Sequence, residues 1–150
     1  MLKLRKNNLT KINLNQFQQK IEAFVTESQP SFNIQDVVGS VTNNIVLGIE
    51  QKTLHDTWLV GEDLKAYCLC RVDLDADGSR VYTAYQLWID PKYRDGSIVF
   101  KLIKFLKFYA QKQGFKRLYV ISSRLDAIKA YSRGLGKGFK AQSVIFVKEV

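Results

Sequence analysis

The chain has 150 residues, is 46% hydrophobic and 25% charged, and carries a formal net charge of +9. That profile predicts one globular domain, residues 1–150, with a real core. It excludes a membrane-spanning helix, because no apolar run approaches the ~20 residues one needs, and the basic start MLKLRKNNLTKI lacks the apolar segment of a secretory signal.

The two cysteines, Cys68 and Cys70, lie two apart in a strand-like run, a spacing that rarely bridges. They read as reduced core or half-core residues of a cytoplasmic protein, and no membrane partner is expected. With one histidine in the chain, a Cys/His zinc site is excluded and no metal is expected. The charge is lopsided. From Pro91 onward there are 14 Lys/Arg against three acids, whereas Met1–Asp90 holds 9 against 11. The later part therefore suits an anionic partner: nucleic acid, an acidic surface or a phosphate-rich cofactor. A solvated lysine surface is the plainer alternative.

In chain order, Asn13–Ser28 carries Leu14, Phe17, Ile21, Phe24 and Val25 on one helical face, with Asn13 or Asn15 as the cap and Pro30 closing it. Asn33–Gln51 repeats the spacing with Ile34, Val37, Val38, Val41, Ile45, Val46 and Ile49. Gly39 and Gly48 are candidate kinks or ends. Asp56–Gly61 reads as a short strand and Glu62-Asp63 as a turn. Ala66–Leu74 and Val81–Ile89 are strands joined by a hairpin at Asp77-Gly78. The acidic run from Asp73 to Gly78 has the form of half a calcium-binding EF-hand loop. Its twelfth position is Ala84, not the required Glu, so a solvated hairpin tip is expected.

Asp90-Pro91 ends that strand. A short loop, Lys92 to Ser97, leads into a helix-periodic run from Ile98 to Gln113. Strand, Gly-bearing loop and helix start together aim backbone amides and a positive dipole end at one point, which suits a phosphate. Lys101, Lys104, Lys107 and Lys112 fall opposite Val99, Leu102, Ile103 and Leu106, as on a solvated helix face. Lys116–Ser122 reads as a short buried strand in a central parallel position. Arg124–Leu135 is predicted helical and Ala141–Val150 a strand or strand pair. The glycines at Gly134, Gly136 and Gly138 follow a helix, so they are no dinucleotide fingerprint. The expected order is α-α-β-β-β-α-β-α-β: an α/β class (α+β) mixed sheet with two N-terminal helices and helices on both faces.

That order resembles the GNAT superfamily of acyl-coenzyme-A-dependent N-acyltransferases, and so does the stretch Trp88-Ile89-Asp90-Pro91-Lys92-Tyr93-Arg94-Asp95-Gly96. The family pattern is an apolar strand, a V-x-P-x-x-R junction and a Gln/Arg-x-x-Gly-x-Gly/Ala loop opening a helix. A second family pattern, Asn-x-x-Ala-x-x-Leu-Tyr followed by Gly-Phe, is similar to Arg124-x-x-Ala127-x-x-Ala130-Tyr131 with Gly138-Phe139. The resemblance implies acetyl-CoA as co-substrate and a primary amine of a small molecule or protein as acceptor. It implies that the pantetheine arm lies between Tyr85–Ile89 and Leu118–Ser122, against the backbone of Leu87, Trp88 and Ile89. The pyrophosphate would sit on Arg94, Asp95, Gly96, Ser97 and Ile98, with Arg124 as a further contact. Tyr131 would be the general acid for the leaving thiolate.

Three departures stand out. The loop is one residue short of the family pattern. Arg124 replaces the usual Asn. The incoming strand has Thr83 and Gln86 where relatives often carry a Glu, which leaves the amine's proton to water, Glu50, Glu62 or Asp63. Asp95 is compatible with a phosphate site only if it caps the helix. The alternative is a binding or structural module on the same fold with a decayed coenzyme site and a basic surface, with nucleic acid as its partner.

Overall fold

A computed structural model describes residues 4–6, 14–50, 55–121 and 139. Its elements are β1 (Leu4–Lys6), α1 (Leu14–Ser28), α2 (Ile34–Glu50), β2 (His55–Val60), β3 (Ala66–Leu74) and β4 (Arg80–Ile89). A 3₁₀ turn (Pro91–Tyr93), α3 (Ser97–Lys112) and β5 (Arg117–Val120) follow. The five strands lie in sequence order, β1 to β4 antiparallel and β5 parallel to β4. The class is the expected mixed α/β.

Alternation sorts the strands onto two cores. Trp58, Val60, Ala66, Cys68, Cys70, Tyr82 and Ala84 meet α3 through Ile98, Leu102, Ile103 and Leu106. Leu59, Tyr67, Leu69 and Trp88 meet α1 and α2 through Phe17, Ile21, Phe24, Val25, Val38, Val41 and Ile45. Phe139, of the Gly-Phe pair, packs against the α3 core. Each such large apolar side chain contributes roughly 1.5–3 kcal/mol on burial.

Local chemistry sets most boundaries. Asn33 Oδ1 accepts the amides of Gln35 and Asp36 and so opens α2. α2 then runs straight through Gly39 and Gly48. The Asp77-Gly78 turn forms as expected, with Gly78 at φ +76°. Its tip does more than face water: Asp75 and Asp77 accept hydrogen bonds from Arg117 (2.8 and 2.9 Å), and Asp75 accepts one from Tyr119 (2.5 Å). The tip thereby fixes where β5 starts. The arginine and the Ser79 hydrogen bonds hold the Asp77 carboxyl well below the usual carboxylate range.

Three expectations are corrected. β1 was not expected before α1. It forms because Leu4–Lys6 pairs with Trp58–Val60. β5 is parallel to β4 but half-buried rather than buried, and it lies at one end of the described sheet. Asn15 lies inside α1, so it is not the cap; Asn13 is outside the described residues. The cysteines are buried and free, with Sγ atoms 3.6 Å apart. The predicted Arg124–Leu135 helix and Ala141–Val150 strand fall outside the described residues.

Candidate functional site

The site is built where the described β4–β5 ladder ends. The β4–β5 ladder runs from Val81↔Arg117 to Ala84↔Val120, and the Ile121 amide donates to the Ala84 carbonyl at 2.9 Å. From Tyr85 to Ile89 no described residue continues that ladder. On the other side β4 stays paired with β3, but the register slips: Leu69 faces Gln86 while Cys70 faces Ala84, so Tyr85 is an extra residue. This β-bulge changes which side chain points where. Tyr82 and Ala84 face α3 before it, and Leu87 and Ile89 face α3 after it. Tyr85 and Gln86 both turn toward α2.

Those two side chains form the floor of a cleft of about 380 Å³. Its walls are Gln29, Ser31, Phe32, Asn33, Asp36, Val37, Ser40, Val41 and Asn44. Gln86 Nε2 donates to the Tyr67 hydroxyl (2.7 Å) and Asn44 Nδ2 to the Tyr85 hydroxyl (3.1 Å), so both floor residues are held in place. The described lining mixes apolar Phe32, Val37 and Val41 with hydroxyls, amides and the Asp36 carboxylate, and holds no lysine or arginine among the described residues, in a chain of net charge +9. Glu50, Glu62 and Asp63 are exposed and do not line it; the carboxylate that does is Asp36.

Past Ile89 the chain makes the expected junction. Asp90 Oδ1 accepts the Lys92 amide and opens the 3₁₀ turn. Gly96, at φ +88°, turns the chain into α3, a conformation that other residues enter only with strain. Asp95 Oδ1 accepts from the Ser97 amide (2.9 Å) and hydroxyl (2.7 Å). These bonds hold the Asp95 carboxyl below its ordinary range. The cap position of α3 is Gly96, which has no side chain to use, and Asp95 just before it occupies the Ser97 amide, one of those at the positive end of α3.

Two ion pairs tie α1 to this junction. Lys20 Nζ lies 2.8 Å from Asp90 Oδ2 and 5.0 Å from the centre of the Trp88 ring. The Lys20 hydrogen bond is the main cause holding the Asp90 carboxyl low. Arg94 clamps Glu27 with both terminal nitrogens, one at 2.6 Å, and donates Nε–H to the Ile89 carbonyl at 2.8 Å. Lys20 and Glu27 were not expected here. They lie seven apart, two turns of α1, which is the one signal that they share a face.

The structure therefore brings Leu87, Trp88, Ile89, Arg94, Asp95, Gly96, Ser97 and Ile98 into one strand–turn–helix unit beside the cleft. Arg124 and Tyr131 lie outside the described residues. The first-turn amides of α3 and the Arg94 guanidinium fit a diphosphate in chemistry, and each is partly engaged by a carboxylate of this chain. Among the described residues there is no cluster of metal-ligating side chains, and no helix is long and apolar enough to cross a membrane.

The sequence pattern of the Acetyltransferase (GNAT) family matches residues 21–136. No curated protein sequence matches the chain. Among solved structures, the aminoglycoside N-acetyltransferase AAC(6')-Iy in complex with CoA is similar, with a TM-score of 0.70 at 13% identity, covering 99% of this chain and 95% of that one. An aminoglycoside acetyltransferase from an uncultured soil metagenomic sample, in complex with sisomicin, has a TM-score of 0.72 at 17% identity, with 99% and 96% covered. A predicted acetyltransferase from Clostridium acetobutylicum with acetyl-CoA has a TM-score of 0.67 at 14% identity, with 99% and 96% covered.

Proposed function

The chain belongs to the acetyltransferase (GNAT) family, an acyltransferase family, and from that premise we propose that it moves an acetyl group from acetyl-CoA to a primary amine of a small, hydroxyl-rich molecule. The observation that carries the acceptor class is the cleft over the Tyr85 bulge, whose described lining sets the hydroxyls and amides of Ser31, Asn33, Ser40 and Asn44 and the Asp36 carboxylate among the apolar Phe32, Val37 and Val41. A cationic polyol matches such a lining: hydroxyls pair with Ser31, Asn33, Ser40 and Asn44, and an ammonium pairs with Asp36. One structural relative holds sisomicin, which is a chemistry of that kind.

Acetyl-CoA would supply an activated thioester. This chain's residues position the reactants. The edge from Tyr85 to Ile89, along which no described residue continues the β4–β5 ladder, would bond the pantetheine arm, and Arg94 with the α3 amides from Gly96 to Ile98 would meet the diphosphate. The amine nitrogen attacks the thioester carbonyl, the C–S bond breaks, and the thiolate takes a proton from Tyr131. The nitrogen's surplus proton leaves through water, because the cleft floor offers an amide, Gln86, and no carboxylate.

A thermal-shift titration tests donor binding: the melting temperature should climb with acetyl-CoA by mass action. No shift at millimolar coenzyme would return the chain to the decayed-module reading. CoA-thiol release with a panel of amines tests the acceptor. Asp36→Asn is expected to raise the acceptor's KM about tenfold with little change in kcat, the size of one charge-assisted hydrogen bond used equally in ground and transition states. An unchanged KM would remove Asp36 from acceptor binding.

Asp95 opposes the diphosphate it stands beside. Its carboxylate already occupies the Ser97 amide and adds negative charge to the place where the phosphates belong. Asp95→Asn keeps an accepting oxygen and removes the charge, so acetyl-CoA is expected to bind about two- to fivefold tighter near neutral pH. Calorimetric titration of both proteins measures this. Weaker binding by the variant would mean that the carboxylate organises the loop and does not compete for it.

A further inference from the structure

Helix α3 turns Ile98, Leu102, Ile103, Leu106 and Ala110 into the core, and these complete its inner side. Its outer side carries Lys101, Lys104, Lys107 and Lys112, all exposed, and Ser97–Lys112 contains no acid. Set among the lysines are Phe100 and Phe108, 51% and 61% exposed. At 100° per residue, Phe100, Lys104 and Phe108 follow one ridge about 12 Å long, with Lys107 and Lys101 to either side. The core makes no demand for these two rings, so their position in water calls for another partner.

Charge selects the partner. A second copy presenting the same face would set lysine against lysine. Residues 122–150 carry six Lys/Arg against two acids and have the same sign. Nucleic acid has the right charge, but a duplex groove has little use for two phenylalanines. Single strands stack on aromatics lining a groove that tracks their backbone, whereas this face is one convex helix. A flat, soft, anionic surface uses both features: rings enter the interfacial layer and ammonium groups stay among the headgroups.

We propose that the outer face of α3 docks the protein reversibly on anionic lipid, with Phe100 and Phe108 inserted. This revises the expectation of no membrane partner, which rested on the lack of a spanning run; a helix lying on the surface needs none. The face lies across the sheet from the cleft, and Phe100, Lys104, Lys107 and Phe108 are not among the residues assigned to acceptor or coenzyme, so docking does not rest on the acyl-transfer reading.

Sedimentation of the full chain with phosphatidylcholine vesicles, with and without about one-third phosphatidylglycerol, tests it. Binding is expected only with the anionic lipid, and it should weaken as salt screens the lysines. Phe100→Ser with Phe108→Ser should lower partition about tenfold at fixed salt, with an unchanged melting curve because neither ring is in the core. Lys104→Glu with Lys107→Glu should abolish it. No sedimentation with anionic vesicles at low salt overturns the proposal, and so does equal binding by the phenylalanine variant. Tighter binding to single-stranded DNA than to vesicles also overturns it and assigns the face to nucleic acid.

Discussion

Tyr131→Phe is expected to cut kcat by about 10²–10⁴-fold while leaving acetyl-CoA's KM nearly unchanged. The reasoning is chemical. An alkyl thiolate is a poor leaving group unless a proton reaches the sulfur as the C–S bond breaks, and a phenol of pKa ~10 is well matched to supply it. Phenylalanine keeps the ring and deletes the hydroxyl that carries the proton. A donor with an aryl thiol leaving group separates the acid role from a structural one, because that thiolate departs without protonation. The loss in the variant should then shrink toward nothing. A loss of the same size with both donors would mean that the hydroxyl positions something and does not protonate the sulfur.

Lys6→Met is expected to cost about 2–3 kcal/mol of stability, a lower urea midpoint at unchanged slope. Asp56 is 6% exposed, on the α3 side of the sheet among Trp58, Tyr82 and Tyr109. Its carboxylate accepts from Tyr82 at 2.6 Å, and Lys6 Nζ lies 3.1 Å away. The same ammonium donates to the Tyr109 hydroxyl at 2.6 Å and lies 5.0 Å from that ring's centre. Removing the cation takes from this buried anion the ammonium 3.1 Å away. The cost stays below the 3–5 kcal/mol of a fully buried pair because Lys6 remains 31% exposed. Asp56→Asn added to Lys6→Met should recover most of the loss, and additive losses would refute the coupling.

Burial pulls the Lys6 pKa down, but the hydrogen bonds with Tyr109 and Asp56 outweigh it and leave it raised above 10.5. The raised folded value fixes the sign. The contribution is fully present below the unfolded pKa, throughout neutral pH, and is lost as pH climbs through the folded one. An alkaline unfolding profile of the native chain should therefore lose a step in Lys6→Met.

The helices were legible because their apolar residues recur at helical spacing, as in Phe17, Ile21, Phe24 and Val25. The hairpin was legible because Asp77-Gly78 can hardly do anything else. The strand–turn–helix unit was legible from Asp90-Pro91 and Gly96, whereas Asp95 could be read only conditionally, and the structure ties it to the Ser97 amide beside the Gly96 cap. What escaped is non-local. Three residues, Leu-Arg-Lys, carry no strand signal until β2 offers them hydrogen bonds. The Lys20–Asp90 and Glu27–Arg94 pairs join positions 70 and 67 apart, beyond the reach of any periodicity. The bulge falls at Tyr85, where no glycine marks it, so the cleft it floors had no signature. Residues 62 and 63 drew attention as acids, yet helix packing put Asp36 at the cleft instead.

The slip at Tyr85 has a consequence for how the gene tolerates change. An extra residue in a strand resets an odd–even count, so positions 80–84 and 87–89 obey opposite parities for the same two neighbours. Deleting residue 85 would leave 84, 86, 87, 88 and 89 in plain alternation, so Leu87 and Ile89 would keep facing α3 and Trp88 would keep facing α1, and only the second side chain aimed at α2 would be lost. A saturation-mutagenesis map should accordingly change phase there, and loss of codon 85 should be tolerated better than loss of codon 83 or 87, which would turn the downstream side chains over.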